Sequence, residues 1–405
     1  METYYLLIAV AMLAYCHFSA WLAAAGITMP MLFLSLGLGV GLQGLVLDHE
    51  TASAFYDLAE LTLALLLFAD ATQLRRRALT RIGARVLRML LIGLPLAIVL
   101  GAVFNLLLLP GWSLWEACLL AALLAPTDAA LGQAILTNNR IPRAFRDAIN
   151  AESGLNDGLA LPFVIFFAGL AAGQVSGGAG AEIALGDLLA SQIGLGVVAG
   201  IACGLGAGRL RTRALARGLM DPELGMVATL VLVALAYFGA DVIGGNAFVA
   251  VYVAGLAYAN SGAGEVHQAR EFLDHDGRFL AMLSFFFIGA LFVPQALEHA
   301  SLAGILVVLL SLLVVRPLAI WLALSGTATP PRERLFYGWF GPRGLATSLF
   351  AVFVVMDFEG VARAGDLLVI SITAVLVSAF AHGISAKYAV TLFGLEGGGP
   401  GNGAG

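Results

Sequence analysis

The sequence predicts an all-α polytopic membrane protein with about thirteen transmembrane helices. Of its 405 residues, 60% are apolar and only 12% are charged, and the mean hydropathy is +0.94. A soluble globular protein contains about 45–50% apolar and about 25% charged residues. The composition therefore excludes a soluble enzyme, a disordered chain and a nucleic-acid-binding protein.

Apolar stretches account for nearly the whole chain, and each is close to the roughly 20 residues that a helix needs to cross a bilayer. The first stretch has neither a basic flank nor a small-residue cleavage site, which favours a retained helix over a signal peptide. The connections are short, so we expect no soluble domain between the helices. The predicted helices cover residues 3–23, 27–46, 54–71, 84–106, 113–136, 144–172, 184–208, 222–240, 244–260, 279–293, 301–323, 335–356 and 365–390.

The charges in the loops predict the orientation of these helices. Nearly all of the 21 Lys and Arg residues fall into loops on one side of the membrane, whereas only Arg363 lies in a loop on the other side. Positively charged loops face the cytoplasm. We therefore expect an inner (plasma) membrane protein with its N-terminus outside and its C-terminus in the cytoplasm. The Gly-rich residues 391–405 predict a disordered cytoplasmic tail.

Few ionisable side chains lie inside the apolar stretches, where their cost makes them functional candidates. In the sixth stretch, Ser153 and Asp157 share one helix face, while Glu152 and Asn156 share another about 100° away. The first face presents a hydroxyl and a carboxylate to an ion. The second presents Glu152 to Arg343, the only deeply placed cation, and we expect a buried ion pair. Other ionisable residues are placed nearer the ends of their stretches: Asp57, Glu60, Asp70 and Arg316.

The fifth and twelfth stretches carry residues that interrupt a helix. Pro126 removes a backbone donor and frees carbonyl groups one turn earlier, and Thr127 and Asp128 follow it. The run GPRG at residues 341–344 interrupts the twelfth stretch. A seventh helix that joins two six-helix halves inverts the second half. Paired broken helices in inverted halves predict a transporter site at the midplane of the bilayer.

The oxygen-rich donor set at this site suits a hard cation. No His or Cys lies near it in the sequence, which argues against zinc or copper, and we expect His17 and His382 to be packed or hydrogen-bonded. Burial raises the pKa of a carboxyl group, whereas a bound cation lowers it. Cation and proton therefore compete for Asp157, and alternating access makes their exchange obligatory. Such a mechanism needs no covalent chemistry and no cofactor, so we expect no enzymatic activity.

These motifs resemble those of the NhaP-type sodium/proton antiporters. That family belongs to the monovalent cation:proton antiporter superfamily, which also contains the animal sodium–proton exchangers. The resemblance covers about residues 3–390 and is most specific in the runs APTDAALG (125–132), ESGLNDG (152–158) and GPRG (341–344). Three motifs in the right order and in the right helices argue against chance similarity.

The resemblance implies a thirteen-helix homodimer in which the fifth and twelfth helices cross as unwound segments. Residues 1–83 would form the first scaffold and dimer part, and residues 173–300 the linker helix and the second scaffold part. Residues 84–172 and 301–390 would form the two halves of a mobile, ion-transporting core. The implied activity is the exchange of Na⁺ or Li⁺ for H⁺, with K⁺ left open as the cation.

Carried over by motif position, the resemblance implies that Asp157 binds both the cation and the proton. Asp128, Ser153 and the backbone oxygen of Thr127 are implied as further ligands of the monovalent cation.

The same resemblance assigns Glu152 and Arg343 to a buried pair, with Asn156 as its hydrogen-bonding neighbour. In the family, the order Asn156-Asp157 usually accompanies electroneutral, one-for-one exchange, which we therefore expect here.

Three alternatives are weighed against an antiporter. An organic-ion carrier on the same fold would show spare cationic residues at the midplane, but here Arg343 has Glu152 available. Intramembrane aspartyl proteases resemble one another in a Gly-x-Gly-Asp run and a Tyr-Asp run around their two aspartates. Neither run surrounds Asp128 or Asp157 in this sequence. A relative that keeps the fold without transporting would retain the same residues. Sodium extrusion and pH homeostasis are equally compatible purposes.

Overall fold

The computed structural model describes residues 2–43, 49–72, 83–128, 131–136, 138, 140–176, 179–261 and 266–393. Within these ranges the chain consists of helices and contains no β-strand, which agrees with the predicted class. The first half is built from α1 (Glu2–Ala25), α2 (Met29–Gly41), α3 (His49–Thr72), α4 (Ala84–Leu108), α5 (Leu114–Leu123), α6 (Gln133–Leu136), α7 (Arg143–Ser176) and α8 (Ala179–Ala216).

The second half begins after a short 3₁₀ turn, Pro222–Leu224. It contains α9 (Gly225–Val242), α10 (Ala247–Ala259), α11 (Val266–Leu291), α12 (Val293–Glu298), α13 (Leu302–Ala323), α14 (Pro331–Trp339), α15 (Leu345–Asp357), α16 (Ala364–Lys387) and α17 (Ala389–Phe393).

Seven of the described helices are long and apolar enough to cross a membrane, and five more are apolar but only 10–17 residues long. Two of the short helices, α5 and α15, are short because of the predicted interruptions. Helix α5 ends where one non-helical segment begins, and α15 begins where the other ends. The total of thirteen crossings stays a prediction.

Local capping explains where several helices begin. Ser113 starts α5 with a capping box, since its hydroxyl accepts from the Glu116 amide and the Glu116 carboxylate accepts from the Ser113 amide. The side chains of Asn246 and Ser301 accept from the first turns of α10 and α13. These short polar side chains satisfy amides that would otherwise be unpaired in an apolar surrounding.

Helices α4 and α13 each contain one π-helical turn, at Met89–Gly93 and Ser311–Val315. In both helices a proline follows the π turn after one intervening residue, at Pro95 and at Pro317. A proline ring clashes with the carbonyl group one turn earlier and removes a hydrogen bond there. A π turn, which contains one residue more than an α-helical turn, accommodates this clash. The two helices pack against one another, so this irregularity occurs twice, in neighbouring helices beside the interrupted segments.

The helices pack in two groups, which also contact each other, among others through α7–α8 and α3–α7. In one group, α2 lies against α11, and α3 against α10 and α11. In the other, α4, α5, α7 and α13–α16 contact each other. The α2–α11 contact is very close, because a Cβ at Gly37 would overlap the Phe286 carbonyl and one at Gly289 would overlap the Leu34 carbonyl.

The first residues of the predicted tail are helical. Helix α17 continues to Phe393, because the Phe393 ring packs at 5.5 Å from Phe336 and 5.7 Å from Phe340. Residues 391–393 are therefore helical, and the remainder of the predicted tail lies outside the described residues.

Candidate ion-binding site

Two non-helical segments meet where α5 and α14 end. After Leu123 the chain is non-helical through Asp128, and after Trp339 it is non-helical from 340 to 344. The Asp128 amide donates to the Pro342 carbonyl at 2.8 Å, and the Leu345 amide donates to Asp128 Oδ2 at 2.7 Å. The predicted crossing of interrupted helices is therefore present, and these two hydrogen bonds join its halves.

Asp128 occupies the start of α15 from the opposite segment. Its carboxylate accepts the Leu345 amide, where the helix carries a partial positive charge. Gly344 makes this approach feasible, because a Cβ there would overlap the Asp128 carboxylate. One oxygen of this predicted ion ligand thus also stabilises a helix terminus.

Arg343 binds the carbonyl groups at the end of the other interrupted helix, α5. Its guanidinium donates to the carbonyls of Ala125 at 3.2 Å and Pro126 at 3.5 Å, and to Ser311 Oγ at 3.4 Å. Carbonyls at the end of a helix carry partial negative charge, and water is excluded because Arg343 is only 1% exposed. Arg343 therefore stabilises the carbonyl end of α5, as Asp128 stabilises the amide end of α15.

The predicted ion pair between Glu152 and Arg343 is wrong in its partner. Glu152 pairs with Arg316, whose two terminal nitrogens lie 3.2 Å from Oε1 and 3.0 Å from Oε2. Glu152 is 3% and Arg316 4% exposed, so the pair is fully buried. Arg316 directly follows the π turn of α13, and its side chain passes over Gly341, where a Cβ would overlap its guanidinium. Position along the apolar stretch does not predict this approach.

Asn156 and Thr127 connect this pair to the break in α5. The Asn156 amide donates to the Ala125 carbonyl at 3.1 Å, to Thr127 Oγ1 at 3.2 Å and to Glu152 Oε1 at 3.4 Å. The Thr127 hydroxyl donates to Glu152 Oε2 at 3.3 Å. Each Glu152 oxygen therefore accepts two hydrogen bonds, one from Arg316 and one from this polar bridge.

The neighbouring face of α7 is different. Ser153 Oγ and Asp157 Oδ1 are buried, and neither has a hydrogen-bond partner within the described part of the chain. The backbone of Thr127 hydrogen-bonds to the Asp157 carboxylate, which places this face against the broken segment. The predicted i,i+4 pair thus presents two oxygens that lack a donor or a cation.

Two residues of the other helix group, which were not predicted as site residues, lie at the same place. Tyr252 of α10 packs its ring so closely on Gly158 that a Cβ there would overlap the ring, and its buried hydroxyl has no partner among the described residues. Asp70 of α3 is within electrostatic range of both Asp157 and Tyr252. The signal for Asp70 was present, namely an acid within an apolar stretch.

Two small cavities lie between α4, α13 and the crossing. Arg343, Ser311 and Asn105 line the first, and Glu152, Asn156 and Arg316 line the second. The Nε atoms of Arg316 and Arg343 and Oδ1 of Asn156 are buried without a partner in the described residues. Each cavity has a mainly apolar lining with three polar side chains, and its size suits a single water molecule.

The two histidines in the predicted helices are hydrogen-bonded, as expected. His17 Nδ1 lies 2.8 Å from the Leu13 carbonyl on the exposed side of α1. His382 is buried in α16, and both of its ring nitrogens have partners.

Helices that are interrupted at a buried crossing, with carboxylates beside it, are a feature of membrane transporters. The chain matches the family described as "Sodium/hydrogen exchanger, transmembrane" over residues 8–392, and it belongs to that family.

Named relatives agree with this assignment. The chain is 27% identical to the K(+)/H(+) antiporter NhaP2 of Shewanella sp. (strain MR-4) over 386 residues, which cover 92% of this chain and 63% of the relative. It is 31% identical to the K(+)/H(+) antiporter NhaP of Alkalimonas amylolytica over 252 residues, which cover 59% and 40%. The chain thus spans less than two thirds of the length of these relatives.

The fold is also that of a solved structure. The sodium proton antiporter MjNhaP1 from Methanocaldococcus jannaschii aligns with a TM-score of 0.74 and 23% sequence identity. The alignment covers 96% of this chain and 97% of MjNhaP1.

Proposed function

We propose that the protein is a secondary active antiporter that exchanges a monovalent alkali cation for H⁺ across the membrane by alternating access. The observation that carries this proposal is the pair of buried, unpartnered oxygens, Ser153 Oγ and Asp157 Oδ1, beside the crossing of two interrupted helices. Buried oxygens without a partner are rare because they are costly. A dehydrated hard cation or a proton supplies what these oxygens lack.

The proposed cation ligands are the oxygens of Asp157 and Ser153, completed by Asp128 and the backbone carbonyl of Thr127. All four residues lie at the break in α5 or on the face of α7 that packs against it. Hard cations take carboxylate, hydroxyl and carbonyl ligands of this kind. The cation is substrate here and leaves on the opposite side of the membrane.

Asp157 is the proposed point of exchange. Three further carboxylates, those of Asp70, Asp128 and Glu152, act electrostatically on it. An uncompensated negative charge at Asp157 is therefore unfavourable, and the group carries either a proton or a cation when the core moves. Since one carboxylate cannot hold both, each inward step of one species requires an outward step of the other.

We propose that exchange is electroneutral because Asn156 contributes no titratable charge. Its amide is held by the Ala125 carbonyl, Thr127 and Glu152. Of the Asn156-Asp157 pair only Asp157 can gain or lose a proton, which supports one proton for one monovalent cation.

The proposed division of the chain follows the two packing groups. Residues 1–83 and 173–300 would form the scaffold and a homodimer contact, while 84–172 and 301–390 would form the moving core. Tyr252 and Asp70 then belong to the scaffold, and Asp157 to the core. The proposed setting is an inner membrane with a cytoplasmic C-terminus.

The test is proton flux in proteoliposomes with an imposed pH gradient. Na⁺, Li⁺, K⁺ or choline is added in turn, with protein-free liposomes as the control. We expect at least one alkali cation to dissipate the gradient, choline to have no effect, and a clamped membrane potential to leave the rate unchanged.

Each contrary outcome points to a different correction. A rate that follows the membrane potential would overturn one-for-one exchange. A folded protein that responds to none of the cations would overturn the antiporter and favour an organic-ion carrier or a non-transporting relative.

A further inference from the structure

A buried histidine in α16 contacts both ends of the broken segment 340–344. His382 Nε2 lies 2.8 Å from the Trp339 carbonyl, just before the segment. His382 Nδ1 lies 3.0 Å from Ser378 Oγ, which accepts the Arg343 amide at 2.7 Å near the segment's end. His382 is 2% exposed and Ser378 is fully buried, so no solvent competes for these bonds.

Each ring nitrogen of His382 lies near a carbonyl oxygen. Nε2 is 2.8 Å from the Trp339 carbonyl, and Nδ1 is 3.0 Å from both Ser378 Oγ and the Ser378 carbonyl. A carbonyl oxygen only accepts, so Nε2 must carry a proton to bond to Trp339. With that proton on Nε2, the neutral ring accepts from the Ser378 hydroxyl at Nδ1, and Ser378 Oγ accepts the Arg343 amide. The chain of bonds then runs from Arg343 through Ser378 and His382 to Trp339.

Packing reinforces the same arrangement. The imidazole stacks on the Trp339 indole with ring centroids 4.8 Å apart, and Trp339 Nε1 donates to Ser385 Oγ at 2.9 Å. One turn of α16 thus holds the chain where α14 ends and again where the segment leads into α15.

The opposite side of the segment faces the ion site. Pro342 accepts the Asp128 amide, Leu345 donates to the Asp128 carboxylate, and Arg343 contacts the carbonyls of the other break. The segment 340–344 is non-helical, although the Phe340 amide still donates to the Phe336 carbonyl and the Gly344 carbonyl accepts the Ser348 amide. Its position is therefore set from two sides, by Asp128 and by the His382–Ser378 pair.

We propose that His382 and Ser378 are positioning residues for cation binding, because they hold segment 340–344 in the register that places Asp128 at the crossing. This inference rests on the proposed antiport function. Neither residue touches the cation, so their effect is on its apparent affinity.

The test compares His382→Phe, His382→Gln and Ser385→Ala in proteoliposomes. Phe keeps the ring against Trp339 and loses both bonds, whereas Gln can donate to Trp339 and accept from Ser378. We expect Phe to raise the apparent KM for the cation about tenfold, the effect of one hydrogen bond of ordinary strength. We expect Gln to recover most of that loss, and Ser385→Ala to behave as wild type, since it leaves the chain to Arg343 intact.

A second measurement separates the affinity for the cation from the maximal rate of transport. The melting temperature in detergent is measured with and without saturating cation, because a ligand stabilises the state that binds it. His382→Phe should need about tenfold more cation for the same upward shift, and its maximal rate should change less than its KM. Where His382→Phe fails to fold, Ser378→Ala tests the same chain of bonds and should raise KM likewise.

The outcomes are distinguishable from a failure of the proposed function. Absence of exchange by the wild type would remove the antiporter itself. Exchange by the wild type with an unchanged KM in both His382→Phe and Ser378→Ala would overturn the positioning role. An equal loss in Ser385→Ala would assign the effect to the packing of Trp339 and would overturn it as well.

Discussion

Glu152 and Asp157 are two carboxylates on one helix, five residues apart, and their surroundings are opposite. The two Glu152 oxygens accept four hydrogen bonds, from Arg316, Asn156 and Thr127. Asp157 Oδ1 is buried and accepts none within the described residues. Burial alone therefore does not identify a binding carboxylate. A saturated acid holds the fold, whereas an unsatisfied one retains capacity for a cation or a proton.

Substitution of Asp157 should have the largest effect on transport. Asp157→Asn keeps the size of the side chain and removes the exchangeable charge, so we expect folded protein and no cation-driven proton flux in proteoliposomes. The matched control is Asp147→Asn on the same helix, where the carboxylate is 68% exposed and its loss should leave the flux intact. Wild-type turnover in Asp157→Asn would refute the assignment.

The next largest effect is expected on stability, when Glu152 or its partner Arg316 is replaced. Removing either Glu152 or Arg316 leaves an uncompensated buried charge, which costs about 3–5 kcal/mol of unfolding free energy. Chemical unfolding in detergent should show both Ala variants destabilised.

The double variant sharpens this result. Glu152→Ala combined with Arg316→Ala should lose much less than the sum of the two single losses, because neither charge is then left alone. The same cycle with Arg343→Ala is the control and should show weaker coupling. Stronger coupling of Glu152 to Arg343 than to Arg316 would contradict the observed pair.

The smallest expected effect concerns Ser153. Its hydroxyl has no partner in the described residues, so Ser153→Ala should not lower the unfolding free energy, because the substitution removes a buried polar atom that is costly when unpaired. As a proposed ligand, it should nevertheless raise the apparent KM for the cation about tenfold, by loss of one oxygen contact. Ser371→Ala is the control, since Ser371 Oγ is also buried and unpartnered but lies on α16. A raised KM in the control alone would exclude Ser153 as a ligand.

Much of the fold could be predicted because it depends on local chemistry. The apolar content requires helices in a bilayer, where backbone groups must be satisfied within each segment. Pro126 lacks a backbone donor, and the GPRG run combines a proline with two glycines. Both breaks were therefore predicted, although Pro162 lies inside the continuous helix α7. The spacing of Ser153 and Asp157 likewise placed both side chains on one face, because the helical period does not depend on neighbours.

The partner of Glu152 was not predictable in the same way. Arg343 lies deeper in its stretch than Arg316, and depth alone favours it. The π turn of α13 and the bare surface of Gly341 bring Arg316 to Glu152 instead, and Arg343 is used at the carbonyls of the broken α5. Both outcomes depend on how α13 packs beside α7, which no pattern along one helix contains.

The class of protein, the interrupted helices and the oxygen-rich face of α7 follow from the sequence, since composition, proline chemistry and helical period act within a few residues. The arginine that pairs with Glu152, the acid that caps α15, and the position of Asp70 and Tyr252 beside Asp157 follow from the packing of the helices. These relations join residues that are distant in sequence. They depend on the relative rotation and depth of packed helices, and local interactions do not set either quantity.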